Sequence, residues 1–512
     1  MAVKQTSQIQ LYEFRDFDME RFISLYLEEI APRKDIISVN MFTGEAHYVD
    51  VKQHSGVKNR DKIIMKCQYL QDTIIRRANA KKDDKSFSLS SKILTKVIGE
   101  EYKSMLNVLI RMGYIELGNG NGGADKHYYY EMGAYSMLYK LKDVPIHCWY
   151  GNNAAVRKYK EKAAEKIDEY KQGCITPVID RLYGQSFRKQ YLTSLNYFHV
   201  GDVEGLKEYI ADNGYDKEES PYYIYYKDIQ DKLSRGKEIY SVDSNGRIYH
   251  VLCNLTKELK EYINIDFSLD CKNSHPLLFN YFIFHHHSIP TSSSFNICNF
   301  LYNNNYIKKS YIKSQVSQTN TIYHNVSEIL RKELIKNNIE ISQVAKLSDD
   351  ELEYIYLTSI GRLWDDVNIR HPEFSRKEIK AKFFGEVLYS KTSFVKNKPF
   401  AQEFVQMFPS VYRLICDWKK PSEHEEISAY LKEHNLVVKK EHAALSIAMM
   451  NLESQIFTSS LKRMYSKRWK AVNIHDCIVV PYTGMKNHPT IEPVMDILKD
   501  VFRGYGLCPT FD

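Results

Sequence analysis

The sequence predicts an α+β protein with a winged-helix-like domain towards its N-terminus, and two patterns predict it. From Lys237 onward, short β-type runs alternate with helical segments. Between Ser88 and Leu141, two amphipathic helical patterns precede a hairpin pattern. The 512 residues suffice for roughly two to four domains. We therefore divide the chain into a basic N-terminal region (1–80), the winged-helix-like domain (81–145), a helical linker (146–236) and an α+β domain (237–512).

The winged-helix prediction depends on two helices and the hairpin that follows them. Serines before SKILTKVIG offer N-caps for the first helix, and Gly99 can end it in a left-handed conformation. The second helix, EEYKSMLNVLIRMG, has apolar residues at helical spacing and ends at Gly113. The strand YIEL, the turn GNGNGG and the strand HYYYEM then complete a hairpin.

In a winged helix the second of these helices enters a major groove. Lys92, Lys96, Lys103 and Arg111 would then contact phosphates. The range 51–111 carries 14 Lys or Arg against 6 Asp or Glu, an excess that suits a phosphate backbone. The same residues are equally compatible with a solvated basic face on a small packing domain, so both interpretations stay open.

Composition excludes several classes of protein. The nine cysteines form no CxxC pair, so neither a zinc ribbon nor a redox motif is indicated. No segment approaches the roughly 20 apolar residues that cross a bilayer, and the N-terminus lacks the apolar core of a secretory signal. We expect a protein without membrane partners in the cytoplasm of a bacterial or phage-infected cell.

Residues 263–278 form the first segment that carries chemistry. Alternating apolar residues predict a strand that ends at Asp270, and the turn-prone CKNSHP then leads into a helix beginning near Pro276. A carboxylate at the end of a strand, followed by exposed backbone, suits a metal–nucleotide site. Asp270 would bind metal ions, and the carbonyl of Cys271 would add an oxygen ligand.

Residues 376–390 form the second segment. On a helix, Arg376, Lys380 and Phe384 share one face at i, i+4 and i+8. Two cations beside an aromatic ring suit a nucleoside triphosphate, because the cations neutralise phosphate oxygens and the ring packs against base or sugar. Taken alone, the same stripe is also typical of a solvated amphipathic helix.

Residues 471–481 form the third segment, in which His475 and Asp476 interrupt a β-rich apolar run. This pattern predicts a tight hairpin with His–Asp at its tip and buried arms. A buried aspartate costs free energy unless a cation or hydrogen bonds compensate. An ordinary polar turn is the alternative.

The order of these segments resembles motifs A, B and C of family A DNA polymerases and of their single-subunit RNA polymerase relatives, over roughly residues 241–481. DCKNSHP also resembles a signature of divergent palm proteins from phages and mobile elements of gut bacteria. The resemblance implies a right-hand polymerase with palm, fingers and, in 146–236, thumb-like helices. Two Mg²⁺ ions, with Mn²⁺ as an alternative, would then bind at the catalytic Asp270 and Asp476 and at the Cys271 carbonyl.

The resemblance extends to further residues. NGRIYHVLCNL resembles the stretch before motif A in family A, which implies that Arg247 contacts the minor groove of the primer-template, and His475 is assigned to the nucleic acid with it. On the helix before motif C, Glu453 and Gln455 either satisfy core groups or reach the primer-template.

Two departures from family A leave the choice between deoxyribose and ribose open. His275 stands where a glutamate usually excludes ribose, and Tyr389 comes one residue late, so either Phe384 or Tyr389 would face the incoming sugar. We expect template-dependent nucleotidyl transfer on primer-template DNA or a DNA–RNA hybrid with nucleoside triphosphates, foremost DNA synthesis in phage or mobile-element replication. The alternatives are an RNA primase or single-subunit RNA polymerase, and a non-catalytic winged-helix replication initiator or regulator.

Overall fold

The computed structural model divides the chain into two compact units. The first is Met1–Thr176 with Asp202–Arg235, and the second is Pro177–Gly201 with Gly236–Asp512. The residues that the structure describes are 9–31, 34–39, 46–50, 59–79, 85–118, 128–131, 134–151, 154–217, 239–243, 245–303, 323–391, 398–438 and 440–512.

In the first unit the described elements are β1 (Ile9–Phe14), α1 (Met19–Glu29), β2 (Lys34–Val39), β3 (Ala46–Asp50), α2 (Arg60–Asn79), β4 (Ser86–Ser88), α3 (Ser91–Val97), α4 (Tyr102–Arg111), β5 (Ile115–Leu117), β6 (Tyr128–Glu131), β7 (Ala134–Leu141), β8 (Ile146–Gly151), the first part of α5 (Ala154–Tyr183) and, after α6, α7 (Val203–Asp212). A single apolar core from Tyr12 to Ala163 contains buried residues of β1, α1, α2, β4, α3, α4, β5, β7 and α5.

The centre of this unit is an antiparallel sheet in the order β4–β7–β5, with β6 on β7. Helix α2 packs against β1, β4 and β7, and α1 packs against α4. The side chains of Asp72 and Gln71 on α2 are buried and accept the backbone N–H groups of Tyr12 and Phe14, so their burial is compensated. The core therefore includes α2, and it extends across residue 80, where the predicted domain boundary lies.

The predicted ends of the two short helices are confirmed. The side chain of Ser90 caps α3 by accepting the N–H of Ile93. Gly99 and Gly113, with φ of +102° and +83°, follow α3 and α4 in the left-handed region that glycine tolerates. The predicted hairpin of YIEL with HYYYEM is wrong, because in the described residues β5 and β6 each pair with β7 and not with each other. The predicted GNGNGG turn lies largely outside the described residues.

In the second unit the described elements are the end of α5, α6 (Gln185–Leu195), β9 (Ile239–Val242), β10 (Ile248–His250), α8 (Lys257–Lys260), β11 (Ile265–Asp270), α9 (Ser274–His286), α10 (Thr291–Asn303), α11 (Tyr323–Lys336), α12 (Ile341–Val344), α13 (Asp349–Ser359), α14 (Leu363–Arg370), α15 (Arg376–Lys382), a π-helix (Phe383–Leu388), α16 (Pro399–Met407), α17 (Pro409–Asp417), α18 (Glu425–Glu433), α19 (Ala444–Ser466), β12 (Val472–Ile474), β13 (Cys477–Pro481) and α20 (Ile491–Gly504). Short 3₁₀ turns cover Val251–Asn254 and Glu441–Ala443.

A three-stranded antiparallel sheet in the order β11–β13–β12 organises the second unit. Helix α19, whose faces are mostly apolar, packs against β12, α9 and α20, as its sequence predicts for a core helix. Helices and small antiparallel sheets occur in both units, so the α+β prediction is confirmed. None of the described helices is long and apolar enough to cross a lipid bilayer.

Candidate active site

The two predicted catalytic aspartates lie next to each other in the sheet of the second unit. Strand β11 ends at Asp270, which pairs with Cys477 across the antiparallel ladder. Asp476 immediately precedes Cys477, and its carbonyl oxygen accepts the N–H of Cys271 at 3.1 Å. The backbones of two residues that are distant in sequence are therefore held next to each other by strand pairing.

The hairpin that presents Asp476 has the predicted two-residue tip. Ile474 pairs with Cys477, which leaves only His475 and Asp476 in the turn. His475 has a φ of +56°, in the left-handed region that non-glycine residues rarely adopt. Its ring packs edge-on against Tyr249, with centroids 5.7 Å apart. Burial, followed by the nearby Arg247 charge, lowers the pKa of His475, and its Nδ1 is buried with no hydrogen-bond partner among the described residues.

The two carboxylates destabilise one another electrostatically. Burial, followed by the charge of Asp476, raises the pKa of Asp270 to about 6. Burial and the charge of Glu453 likewise raise the pKa of Asp476. Lys380 opposes both shifts, but neither aspartate has an ion-pair partner among the described residues. Such a pair gains free energy from a bound cation.

The described residues contain no group of three or more His, Cys, Asp or Glu side chains arranged to hold a metal ion. The protein would therefore supply two carboxylates and a backbone carbonyl, and a substrate's phosphates would supply further oxygens. Burial raises the pKa of the Cys271 thiol well above its usual value, which disfavours the thiolate. A role for the Cys271 carbonyl as a metal ligand stays a prediction.

Asp512 adds a third negative charge near Asp270. The backbones of the two residues exchange hydrogen bonds of 3.2 and 3.0 Å, and the Asp512 carboxylate forms an ion pair with Lys272. The Asp512 charge contributes to the raised pKa of Asp270. Because Lys272 already neutralises it, we do not count Asp512 among the metal ligands.

Glu453 on α19 is the centre of a buried polar cluster that also contains Arg247, His275 and Tyr389. One Glu453 oxygen lies 2.8 Å from Arg247 Nη2, and the other lies 2.8 Å from His275 Nε2. Burial alone would raise the pKa of Glu453, but His275 and Arg247 outweigh burial and lower that pKa. Glu453 therefore satisfies buried groups, the first of the two roles that its sequence left open.

His275 has three partners in this cluster. Its Nε2 lies 2.8 Å from a Glu453 oxygen and 2.9 Å from Arg247 Nη2, and its Nδ1 lies within hydrogen-bond distance of the Tyr389 hydroxyl. The ring of His275 therefore connects Arg247 and Glu453 to Tyr389.

Arg247 is largely buried, whereas a residue that contacts a minor groove needs an exposed side chain. Its side chain is only 13% exposed and is ion-paired with Glu453. Its Nε is buried and has no hydrogen-bond partner in the described part of the chain. A contact with a minor groove stays a prediction, and it would involve the remaining edge of the guanidinium.

The helix of the second motif begins as predicted and ends in an unexpected form. A capping box of Ser375 and Glu378 begins α15, and Lys380 on it is exposed within electrostatic range of both aspartates. Arg376 is instead paired with Asp365 at 3.4 Å.

After Lys382 the helix continues as a π-helix, a form that absorbs one extra residue. The rings of Phe384 and Tyr389 consequently stack, with centroids 5.6 Å apart and planes at 16°. Both rings also contact His275 edge-on, at 5.8 Å. The sequence left open which of the two rings would face the site, whereas in the structure they lie side by side.

Two further residues near Asp270 were not predicted from the sequence. Asn273 and Ser274, which follow Cys271 and Lys272, are 7% and 5% exposed. Both polar atoms of the Asn273 side chain and the Ser274 hydroxyl lack hydrogen-bond partners among the described residues. Buried polar groups are rarely left unsatisfied unless a ligand or water binds them. In the sequence, their position in the turn-prone segment CKNSHP is the feature that could have identified them.

Of the candidate nucleic-acid-binding residues of the first unit, two form ion pairs within that unit and two are exposed. Lys103 pairs with Glu100 at 3.3 Å. Arg111, at the end of the same helix, pairs with Glu28 at 3.3 Å and with Glu29 at 3.5 Å. Lys92 and Lys96 lie on α3, where both side chains are exposed. Helix α1 thus lies along part of the helix that would enter a groove.

Comparison with protein-family models, with curated proteins and with solved structures finds no match to this chain.

Proposed function

We propose that this protein is a template-dependent nucleotidyltransferase that works by a two-metal mechanism, foremost in DNA synthesis. One observation carries the proposal: strand pairing places Asp270 opposite Cys477, next to Asp476 in the hairpin turn, and both aspartates have raised pKa values and no ion-pair partner among the described residues. Such an arrangement costs stability and is typical of sites that bind divalent cations.

Asp270, Asp476 and the carbonyl of Cys271 would hold the two Mg²⁺ ions. When bound, such ions activate an attacking hydroxyl and neutralise charge on a triphosphate and its pyrophosphate leaving group. The donor set fits them, because hard cations prefer carboxylate and carbonyl oxygens.

The surrounding residues supply binding and orientation. Lys380 neutralises phosphate oxygens, with Arg376 further along the same helix. The unsatisfied Asn273 and Ser274 groups offer hydrogen bonds to a phosphate or to its bound water. The stacked rings of Phe384 and Tyr389 would provide an apolar wall for base and sugar, and the Tyr389 hydroxyl is hydrogen-bonded to His275.

The architecture of the second unit supports the proposal. The sheet β11–β13–β12 with α19 would be the palm, α15 with its π-helix the fingers, and helices of 146–236 the thumb-like part. Sequence would be read by base pairing with a template, so the protein needs to recognise only duplex shape and backbone. In the first unit, the sheet order β4–β7–β5 around α2, α3 and α4 supports the winged-helix proposal.

The test is primer extension on a defined template with Mg²⁺, supplying deoxyribonucleoside and ribonucleoside triphosphates in separate reactions. We expect extension with deoxyribonucleotides. Extension with ribonucleotides alone would identify the RNA-synthesising alternative. No extension with either nucleotide, on primed or unprimed templates, would contradict the proposal and favour the non-catalytic initiator.

The matched control is Asp266→Asn. Asp266 lies on the same strand as Asp270 and faces the same side of the sheet, but it pairs with His488 at 2.9 Å. Extension should survive Asp266→Asn and be lost in Asp270→Asn.

A further inference from the structure

The helix of the second motif contains a backbone feature that the proposed mechanism does not use. Over Phe383–Leu388 it is a π-helix, and the N–H of Tyr389 bonds to the carbonyl of Phe384, five residues back, at 3.0 Å. π-Helical turns are rare because they lose α-helical hydrogen bonds, and they persist where the surroundings support them.

Two side chains satisfy carbonyls at the end of this turn. The hydroxyl of Ser390 donates to the carbonyl of Glu386 at 2.5 Å, and Nζ of Lys419 donates to the carbonyl of Val387 at 2.6 Å. Ser390 belongs to the same segment, whereas Lys419 comes from the turn that follows α17. Among the described residues, Lys419 is therefore the one residue outside the segment whose side chain donates a hydrogen bond to a carbonyl of the π-turn.

Lys419 is an unusual residue for this task. It is 1% exposed, and no carboxylate lies within ion-pair distance of it in the described part of the chain. Burial lowers the pKa of its ammonium to about 8. A buried lysine without a counter-ion is costly, so its hydrogen bond to Val387 is the contact that explains its presence.

The π-turn determines where Tyr389 points. In an α-helix, residues five apart are separated by about 140° around the axis, so Phe384 and Tyr389 would face different directions. In the π-turn their rings stack, and the Tyr389 hydroxyl reaches His275. Without the turn, Tyr389 would lose both contacts.

We propose that Lys419 is a positioning residue that holds the π-turn, and with it the ring of Tyr389, in the register of the nucleotide site. Its catalytic consequence rests on the proposed function, whereas its effect on Tyr389 does not. Gly385 supplies the way to test it. It is exposed, and a Cβ placed on it would meet nothing within 4 Å. Deleting Gly385 removes one residue, so an ordinary α-helix would then bring Tyr389 beside Phe384 without Lys419.

The experiment compares Lys419→Met, deletion of Gly385 and the combination of both, with 3-fluorotyrosine placed only at position 389. In the protein alone, ¹⁹F NMR should show a displaced Tyr389 resonance in Lys419→Met. The combined variant should return to a resonance close to that of the deletion alone. Lys420→Met is the matched control, because Lys420 is the exposed neighbour that pairs with Glu423 at 2.8 Å, and it should leave the resonance unchanged.

Primer extension then tests the catalytic consequence. We expect Lys419→Met to raise the KM for nucleotide about tenfold, the size expected for one lost hydrogen-bonded contact, and the Gly385 deletion to reverse the rise. An unchanged Tyr389 resonance in Lys419→Met would overturn the proposal, as would a combined variant that stays displaced. If Lys419→Met fails to fold, the combined variant must fold, and its failure would likewise overturn it. A displaced resonance in a protein that never extends a primer would support the positioning role and contradict the proposed function instead.

Discussion

The charged residues that are proposed to act in the two units differ in whether they form ion pairs. In the first unit, cations of the helix proposed to read DNA are paired with acids: Lys103 with Glu100, and Arg111 with Glu28 and Glu29. In the second unit, strand pairing forces Asp270 and Asp476 together, and burial and like charge raise the pKa of Asp270 to about 6. The cations of this helix in the first unit are thus neutralised by acids of the same unit, whereas the neighbouring aspartates of the second unit lower the stability of the folded protein.

This difference indicates where a ligand would act. Exposed ion pairs contribute little to stability. The ion pairs on α4 therefore argue neither for nor against a bound nucleic acid. Two adjacent carboxylates destabilise the folded protein, and a bound cation would remove that cost. The comparison therefore favours the second unit as the site of chemistry, and the following changes test it.

The largest expected effect is that of removing one aspartate. Asp270→Asn or Asp476→Asn should reduce nucleotidyl transfer roughly a thousandfold or more, because one carboxylate cannot hold both ions. The metal-free variants should be at least as stable as the original protein, since the like-charge repulsion is gone. Steady-state extension rates and thermal unfolding without metal measure the two effects. An active Asp270→Asn variant, or one that unfolds, would remove the contrast between the units.

Glu453 should have the next largest effect, and on stability. Glu453→Ala leaves Arg247 buried without its counter-charge, so the free energy of unfolding of the second unit should fall by about 3 kcal/mol. Glu453→Gln keeps a hydrogen-bond acceptor and should cost about 1 kcal/mol. Urea unfolding followed by tryptophan fluorescence measures both. Equal losses in the two variants would show that the charge of Glu453 is unimportant.

Sequence alone was enough to predict local structure in this site. The strand that ends at Asp270, the two-residue His475–Asp476 tip and the helix from Arg376 follow from alternation, turn chemistry and helical spacing. The short helices of the first unit followed from their serine and glycine ends. Each of these features depends on residues within a few positions of one another, which is why a single sequence contains them.

Features that depend on distant residues were missed. A carbonyl of the π-helix accepts a hydrogen bond from Lys419, which lies outside the segment, and the π-helix itself makes Tyr389 come one residue late in the sequence. The Glu453 cluster joins four separate elements, and its pairing with Arg247 was not foreseeable from the NGR segment. Likewise, the pairing of Arg111 with α1 depends on tertiary packing that local spacing does not encode.

Lys380 tests whether the electrostatic surroundings of the aspartates serve a nucleotide. Lys380→Ala should raise the KM for nucleoside triphosphate about tenfold, while the affinity for primer-template changes much less, because one phosphate contact is lost. Lys377→Ala on the same helix, also exposed, is the matched control. Equal losses of template and nucleotide affinity in Lys380→Ala would mean that this helix contacts nucleic acid generally.

The raised pKa of Asp270 predicts a pH dependence of metal binding. Because the pKa is raised to about 6, the carboxylate is protonated below that pH and cannot bind a cation. The apparent affinity for Mg²⁺ should be constant above pH 7 and weaker by about tenfold at pH 5. Calorimetric titration at several pH values measures it. An affinity that is constant between pH 5 and 8 would contradict the raised pKa.

The smallest effect should come from the first unit. If the acids of α1 already neutralise Arg111 on α4, Arg111→Ala removes only exposed ion pairs. DNA affinity should then change by less than about twofold, and the slope of affinity against salt concentration should stay the same. A residue that contacts a phosphate would instead lower that slope by about one. Lys92→Ala on α3 provides the comparison, because Lys92 is exposed and lies on a different helix. A reduced slope in Arg111→Ala would mean that α4 binds DNA despite its ion pairs, and both units would then have to be counted as nucleic-acid-binding.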